Sequence, residues 1–330
     1  MRTGGRLAAL VVIAALVAAC SSDRRVTVPG SESPGVTASP DFPGVTTIDT
    51  IEVAPGPVGI AAGFGSVWVV STAEAPTLTR IAQGSGAVQA TIAVGEGARQ
   101  VAVGFDSVWV SNSDGDSVSR VEPETNTVVV TFPVCDGPEG FAVTATSMWV
   151  VCSGAGTIAR IDPGANVVLT QVPVGLEPRF AVAAFGSLWI SNFGGVSLSR
   201  VDPRTGAVTA TIPTGFGPQG ITAFAGSVWV SNTDGAAVQR IDPLTSQVRQ
   251  TIAVPGFPDG LLPVAGSLWV VSQEGPALTR IDSRANAATD THAVSDRTRI
   301  AANQLLALAD GALWLPLFDE GRVVKIGIPV

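Results

Sequence analysis

Polar side chains stand at one fixed distance before the seven tryptophans of this sequence. Ten residues before each tryptophan, the chain carries Val58, Arg99, Glu139, Arg179, Gln219, Asp259 and Gln304. Arginine forks match a carboxylate or a phosphate group, and convergent polar side chains of this kind form binding sites. A second interpretation stays open, in which Arg99, Glu139 and Arg179 are alternating ion pairs that tie neighbouring units together.

The spacing of the tryptophans predicts the architecture that holds these residues. Trp68, Trp109, Trp149, Trp189, Trp229, Trp269 and Trp314 follow one another at intervals of 41, 40, 40, 40, 40 and 45 residues. In each unit, β-branched runs alternate with Gly, Asn and Asp-Pro turn signals, which predicts four short strands and no helix. Units of this length with four strands are typical of β-propeller blades. The sequence therefore predicts an all-β, seven-bladed β-propeller of four antiparallel strands per blade over residues 46–330.

The two ends of the repeat region predict how the ring closes. The seventh unit stops at its third strand, in GRVVKIGIPV (321–330), whereas TTIDTIEV (46–53) matches fourth strands such as VTATIPT (208–214). An N-terminal strand that completes the last blade removes exposed sheet edges. Because the innermost strands converge on the axis, the seven residues that precede the tryptophans should ring one mouth of the central channel. We call them the mouth ring.

We interpret the repeated phrase SVWVSN as structural. It belongs to the frame, by which we mean the residues that recur in every blade and hold the blades together. In six units a basic residue follows the tryptophan at eleven positions, as in Trp109 and Arg120, and in the first unit at twelve. A hairpin that turns midway places both side chains opposite each other on one blade face, where a cation-π stack between packed blades is expected. The Asp of each Asp-Pro pair should accept backbone hydrogen bonds and start the turn to the outer strand.

The first residues predict export and lipidation. MRTGGRLAALVVIAALVAAC has two arginines, a short apolar run and small residues before Cys20, and its end resembles the lipobox of bacterial lipoproteins. We predict a lipoprotein signal peptide over 1–20 and a flexible Ser/Pro/Gly-rich tether over 21–45. The expected location is extracytoplasmic, lipid-anchored through Cys20 to the bacterial cell membrane, at the cell surface or in the periplasm.

The net charge and the number of cysteines exclude some classes of ligand. The whole chain has a net charge of −8, and removal of Arg2 and Arg6 with the signal leaves 17 positive and 27 negative residues, or −10. An acidic chain without a basic run argues against nucleic acid as a partner.

Cys135 and Cys152 should lie at the same end of one blade, and we predict a disulfide between them. Two cysteines are too few for a zinc cage.

Acidic residues form a second variable set in the loops after the second strands. They are Asp114, Asp116, Asp234, Glu274, Asp319 and Glu320. Turn formation is the interpretation favoured for them, because the loops are too short for a full calcium motif. Arg297 and Arg299 lie in a longer loop of one unit, which is a candidate partner contact.

The phrases GPQGITAFAGSVWVSN (217–232) and VQRIDPLTSQVRQTIAV (238–254) resemble the YVTN-repeat and virginiamycin B lyase-like group of bacterial β-propellers. The resemblance covers residues 46–330 and implies an often exported seven-bladed propeller. It includes an enzyme class that opens the lactone of streptogramin antibiotics by elimination, using histidines, a glutamate and magnesium. The single histidine here, His292, stands in THAV where other units have TIAV, so that chemistry does not carry over residue by residue.

These observations favour an exported, lipid-anchored propeller that binds or scaffolds a protein or small ligand at the channel face. We predict a monomer without a cofactor, metal or catalytic set. The alternative is a metal-dependent enzyme, either a lyase related to virginiamycin B lyase that has replaced the usual histidines or a hydrolase that uses Glu139 or Asp259 as a base. A quinone-dependent dehydrogenase propeller is a third possibility, although no specific motif supports it.

Overall fold

The computed structural model describes residues 45–295 and 305–328. These residues form 28 strands and one turn of 3-10 helix, Phe318–Glu320, which the sequence did not predict. In the part of the chain that the structure describes, no helix is long and apolar enough to cross a membrane. The predicted signal peptide, its Cys20, the tether up to residue 44, Gln304 and the loop arginines Arg297 and Arg299 all lie outside the described residues.

Seven four-stranded antiparallel sheets form the blades, numbered 1 to 7 in the order of their tryptophans. The innermost strands are β2 (Pro57–Gly63), β6 (Ala98–Gly104), β10 (Pro138–Val143), β14 (Pro178–Ala184), β18 (Pro218–Phe224), β22 (Pro258–Val264) and β26 (Ala307–Ala309). The second strands are β3 (Ser66–Ser71), β7 (Ser107–Asn112), β11 (Met148–Cys152), β15 (Ser187–Asn192), β19 (Ser227–Asn232), β23 (Ser267–Ser272) and β27 (Ala312–Leu317).

The third and outer strands complete each blade. The third strands are β4 (Thr77–Ala82), β8 (Ser117–Glu122), β12 (Thr157–Asp162), β16 (Ser197–Val201), β20 (Ala237–Asp242), β24 (Ala277–Asp282) and β28 (Arg322–Gly327). The outer strands are β5 (Val88–Ala93), β9 (Thr127–Pro133), β13 (Val167–Pro173), β17 (Val208–Pro213), β21 (Gln247–Ala253), β25 (Ala287–Ala293) and β1 (Thr46–Glu52).

The ring closes as the sequence predicted. β1 pairs antiparallel with β28, so the first strand of the chain is the outer strand of blade 7. Innermost strands of consecutive blades contact one another, and β26 contacts both β22 and β2. The all-β, seven-bladed propeller with a last blade completed by the N-terminal strand is therefore confirmed.

The hydrophobic core lies between the blades. One cluster, for example, packs Trp68 and Val70 of blade 1 against Val108 and Val110 of blade 2. The second strands are buried along their whole length because both of their faces meet a neighbouring blade, which explains their unbroken apolar runs.

The predicted frame contacts are present. All seven tryptophans lie opposite their basic residue in the strand register, from Trp68 with Arg80 to Trp314 with Lys325. Six of these pairs are cation-π stacks with distances of 4.9 to 5.8 Å to the ring centroid. The Asp-Pro acids also behave as expected: Asp162 accepts hydrogen bonds from the backbone amides of Gly164 and Ala165, which lower its pKa.

Candidate functional site

The strand register places the mouth ring at one end of the channel. Innermost strands begin where second strands end, as shown by Pro178 opposite Asn192, and the ring residues are second in their innermost strands. Val58, Arg99, Glu139, Arg179, Gln219 and Asp259 therefore share this end, which we call the mouth. Gln304 lies outside the described residues.

A β-bulge sets the direction of the ring side chains. In blade 2, Ala98 pairs with Asn112 and Val101 with Val110, so that two residues, Arg99 and Gln100, stand opposite Ser111 alone. The same two-to-one shift occurs in blades 3 to 6. Bulges disrupt the ladder locally and re-aim side chains, and they are frequent next to functional sites. The ring residues therefore lie at the bulge, where the regular alternation of side chains along the strand is interrupted.

The serine of the repeated Ser-Asn pair satisfies the bulged backbone. Ser111 Oγ accepts a 3.0 Å hydrogen bond from the amide of Gln100. Ser191 Oγ donates to the carbonyl of Gln219 in the next blade at 2.7 Å, and Ser231 Oγ donates to the carbonyl of Asp259 at 2.6 Å. The repeated phrase is therefore a frame that holds both the bulge and the neighbouring blade in place.

Glu139 and Arg179 form the central ion pair of the ring. Arg179 Nη1 lies 3.2 Å from Glu139 Oε1 across the boundary between blades 3 and 4, and its Nη2 lies 3.7 Å from Glu177 Oε2. The Arg179 guanidinium also stacks over Phe193, 5.4 Å from the ring centroid. One arginine is thus held by two acids and an aromatic ring, which fixes its position at the mouth.

Glu139 and Arg99 both retain unsatisfied polar atoms. Glu139 is 3% exposed, and its Oε2 has no hydrogen-bond partner among the described residues; nor has the buried Nε of Arg99. Burial raises the pKa of Glu139, while the charges of Arg99 and Arg179 oppose that rise. Buried polar atoms are nearly always paired, so these two point to a ligand or to ordered water.

Gln219 and Asp259 form a separate polar pair. Gln219 Nε2 donates to Asp259 Oδ1 at 2.8 Å, and Gln273 Nε2 donates to Asp259 Oδ2 at 3.0 Å. Asp259 is fully buried. Both of its carboxylate oxygens accept hydrogen bonds, so this side of the ring is tied by contacts within the protein. The predicted ion pair between neighbouring blades is confirmed for Arg179 and Glu139. Between blades 5 and 6, the amide of Gln219 instead of an arginine contacts the acid, Asp259.

The acidic loop residues differ from one another in their contacts and in their exposure. Asp116 Oδ1 accepts a 2.9 Å hydrogen bond from the amide of Gly137 in the loop that leads into blade 3, so it joins two blades, and Glu320 pairs with Arg322. The exposed Asp114 lies close enough to Glu139 to help raise its pKa. Asp234, Glu274 and Asp319 are exposed. Within residues 45–295 and 305–328, no group of three or more His, Cys, Asp or Glu side chains is arranged to hold a metal ion.

Apolar side chains at the mouth were missed by the sequence reasoning. Leu176 and Phe216 are 64% and 67% exposed in the loops that lead into blades 4 and 5, and Phe193 lies beside Arg179. The corresponding loops of blades 2 and 3 carry Glu96 and Asp136 instead. A comparison of units at this loop position would have shown the change from acidic to apolar. This loop position is therefore acidic in blades 2 and 3 and apolar in blades 4 and 5, where Glu177 and Asp234 lie close to the apolar side chains.

The two cysteines lie at the mouth end of blade 3, where Cys152 pairs with Pro138, whereas the histidine lies on an outer strand. Cys135 and Cys152 are joined by a disulfide, with a sulfur-sulfur distance of 2.08 Å. His292 is half-buried on the outer strand β25 opposite Leu278, where the other blades place Ile, Phe or Val. Its strand lies at the blade edge farthest from the channel.

Larger grooves lie at the end of the ring opposite the mouth. One of about 540 Å³ is lined by Arg240, Leu244, Arg249 and Asn286, and another of about 740 Å³ by Phe64, Arg80 and Glu124. Arg80 and Arg240 are frame residues that stack on the tryptophans. These grooves are therefore gaps between repeated outer turns, and the unit-specific polar residues lie at the mouth instead.

The sequence matches no protein-family profile and no curated protein. The structure is similar to streptogramin B lyase (TM-score 0.75, 16% identity, covering 88% of this chain and 100% of that one). It is also similar to hydrazine synthase of Kuenenia stuttgartiensis (TM-score 0.73, 16% identity, 84% and 97% covered). A third similar structure is the Pan2 WD40 domain of Neurospora crassa (TM-score 0.68, 10% identity, 87% and 96% covered).

These similarities bear on the fold alone. The expected lyase-like propeller fold is confirmed by the streptogramin B lyase structure. A total of 1409 solved chains match this structure, and propellers host many activities. The similarity therefore shows the architecture and does not indicate a reaction.

Proposed function

We propose that this chain is an exported, lipid-anchored β-propeller that binds a small anionic ligand at its mouth. The observation that carries the proposal is the pair of buried, unpartnered atoms on neighbouring blades, Arg99 Nε and Glu139 Oε2. Arg179, held by Glu139, Glu177 and Phe193, stands beside them as a preset donor. Two guanidinium groups suit a carboxylate or phosphate, and Glu139 suits a hydrogen-bond donor on the same ligand.

The asymmetry of the mouth supports a ligand of mixed character. Glu96 and Asp114 make one side of the mouth acidic, whereas the other side presents Leu176 and Phe216 together with Glu177 and Asp234. Small-molecule sites combine apolar walls with a few convergent polar groups, which is the composition found here. No comparable observation favours the alternative of a metal-dependent lyase or hydrolase.

Calorimetric titration of the full chain with phosphate, acetate and succinate tests this proposal. A ligand present at about 100 times its dissociation constant should also stabilise the fold by about 2.7 kcal/mol. The variants Arg99→Gln and Arg179→Gln should each weaken binding, because each removes a charge-assisted donor. Arg204→Gln is the matched control, since Arg204 is 87% exposed in an outer turn at the opposite end. Binding that survives in the ring variants would contradict the site, and no binding of any anion would favour a scaffold for a protein partner.

The placement of the first strand is compatible with lipid anchoring. β1 begins at Thr46, which pairs with Gly327, and runs toward Glu52 and the mouth loop before β2. The chain preceding Val45 therefore joins the ring at the end opposite the mouth. Such an attachment leaves the mouth open to a ligand.

Metabolic labelling with a fatty-acid analogue tests the anchor separately. The parent chain should take up the label and sediment with membranes, and Cys20→Ser should lose both properties. A chain with both Cys135 and Cys152 replaced by Ala should keep the label, because its acceptor thiol is intact. An unlabelled parent chain in the soluble fraction would overturn the lipid anchor but leave the ligand proposal standing.

A further inference from the structure

A cavity lies in the channel immediately deeper than the mouth ring. It has a volume of about 170 Å³, and its wall includes Gln100, Phe141, Phe180, Ile221, Leu261 and Leu305. Each of these residues follows a mouth-ring position by one or two residues along the chain. The cavity and the mouth ring are therefore consecutive levels of one channel.

Gln100 is an unpartnered polar group in the wall of this cavity. The residue is 2% exposed, and neither its Nε2 nor its Oε1 has a hydrogen-bond partner among the described residues. Gly59 of blade 1 lies against this part of blade 2, because a Cβ at that position would lie 2.5 Å from the Arg99 carbonyl oxygen and 3.2 Å from Gln100 Oε1. A buried amide with both polar ends unpaired is rare, and this one belongs to a residue in the cavity wall.

The size of the cavity limits what it holds. A cavity of about 150 Å³ lined by Leu, Ile and Phe stays dry and takes up benzene. The channel cavity is slightly larger, and it is more polar, because Gly140, Gly220 and the amide of Gln100 line it together with Phe, Ile and Leu side chains. It therefore accommodates a single aromatic ring, and Gln100 adds a place for one hydrogen-bonding substituent on that ring.

We propose that the channel binds a small hydroxyaryl carboxylate. Its ring occupies the cavity, its hydroxyl group exchanges hydrogen bonds with Gln100, and its carboxylate lies at Arg99 and Arg179. This inference rests on the anion site proposed above and specifies the class of ligand that the site takes. It uses the amide of Gln100 and the Nε of Arg99, two of the buried polar groups left unpaired in the described residues.

Four probes separate the parts of this proposal in titrations of the full chain. They are 3-(4-hydroxyphenyl)propionate, 3-phenylpropionate, propionate and the neutral 4-ethylphenol. We expect the hydroxyaryl acid to bind about tenfold more tightly than the phenyl acid, and the phenyl acid about tenfold more tightly than propionate. Gln100→Leu should abolish the preference for the hydroxyl group while it preserves binding of the phenyl acid.

A second variant keeps the test valid if Gln100→Leu disturbs folding. Leu261→Phe adds volume to the cavity wall and should weaken both aryl acids about tenfold, with propionate unchanged. Equal affinity for propionate and both aryl acids would overturn the cavity proposal while the anion site stands. Binding of 4-ethylphenol that matches the acid and ignores Arg99→Gln would support the cavity and overturn the anion site. Failure of every aryl probe would show a channel that holds water only.

Discussion

Arg120 of blade 2 donates a 3.1 Å hydrogen bond from Nη1 to Oδ1 of Asn166 in the outer turn of blade 3. The same nitrogen donates to the carbonyl of Pro163 at 2.8 Å, while the guanidinium stacks on Trp109 at 5.1 Å. Arg80 and Arg240 repeat this arrangement with Asn126 and Asn286. The arginine thus stacks on a tryptophan of its own blade and hydrogen-bonds the next, which adds a polar clamp to the apolar core at these blade boundaries.

Replacement of Arg120 by Met should destabilise the fold by about 1 to 3 kcal/mol. Met keeps an apolar stem over Trp109 but removes the charge-assisted hydrogen bonds to blade 3, and the acceptors there lose their donor. Urea denaturation measures the effect. Arg204→Met is the control, because that side chain is 87% exposed and should change stability by less than about 0.5 kcal/mol. Equal losses in the two variants would contradict the clamp.

The Cys135–Cys152 disulfide closes a loop with a sequence separation of 17 residues. Loop-closure entropy for this length predicts a contribution of about 3 kcal/mol. The double variant Cys135→Ala, Cys152→Ala should lose about this amount in denaturant titrations. A reductant should lower the stability of the parent chain toward that of the variant and leave the variant unchanged. A parent chain that is insensitive to reductant, with two free thiols by mass spectrometry, would contradict the assignment.

The repeat explains why so much of the fold was predictable from the sequence. The spacing from Trp109 to Arg120 recurs with little change in seven units, and only an antiparallel hairpin places such pairs opposite each other every time. The same logic located Arg99, Glu139 and Arg179, because residues at one offset occupy one place in every blade. Ring closure followed from counting strands at the two ends of the chain.

The details of the site were not predictable in the same way because they depend on neighbouring blades. The bulge itself recurs in blades 2 to 6, but the position that holds Gln100 in blade 2 holds Gly59 in blade 1 and Phe180 in blade 4. The stack of Arg179 on Phe193 joins a strand to a loop of variable sequence. The side chains that meet at these places change from blade to blade, so periodicity carried no signal for their contacts.

Gly220→Ala should disturb the channel, whereas Gly84→Ala should not. A Cβ on Gly220 would lie 2.2 Å from the carbonyl oxygen of Asp259, so the innermost strands of blades 5 and 6 must move apart. Overpacking of this kind costs about 1 to 3 kcal/mol. Gly84 is exposed, and an added Cβ there would meet no atom within 4 Å, so its replacement should stay within about 0.5 kcal/mol. Thermal unfolding of both variants decides this, and equal midpoints would contradict the close approach of the strands.

Glu139→Gln should change how stability depends on pH. Burial raises the folded-state pKa of Glu139 above its ordinary value of 4.5. As the pH rises from 4.5 through the folded-state pKa, the unfolded chain has already released this proton while the folded chain still holds it. Folding stability contributed by this group is therefore present below 4.5 and is lost across that window. Gln cannot ionise, so the stability of the variant relative to the parent should increase with pH.

Asp162→Asn provides the matched comparison with the opposite sign. Backbone hydrogen bonds from Ala165 and Gly164 lower the pKa of Asp162, so its contribution is present above the ordinary value of 3.8 and is lost as the pH falls through the folded-state pKa. The stability of this variant relative to the parent should therefore decrease as the pH rises through that lower window. Urea midpoints of the three chains between about pH 2 and pH 8 measure both slopes. A Glu139→Gln curve parallel to that of the parent would show that the carboxyl titrates alike in the folded and unfolded chains, and would remove the case for Glu139 as a buried, unsatisfied acid at the mouth.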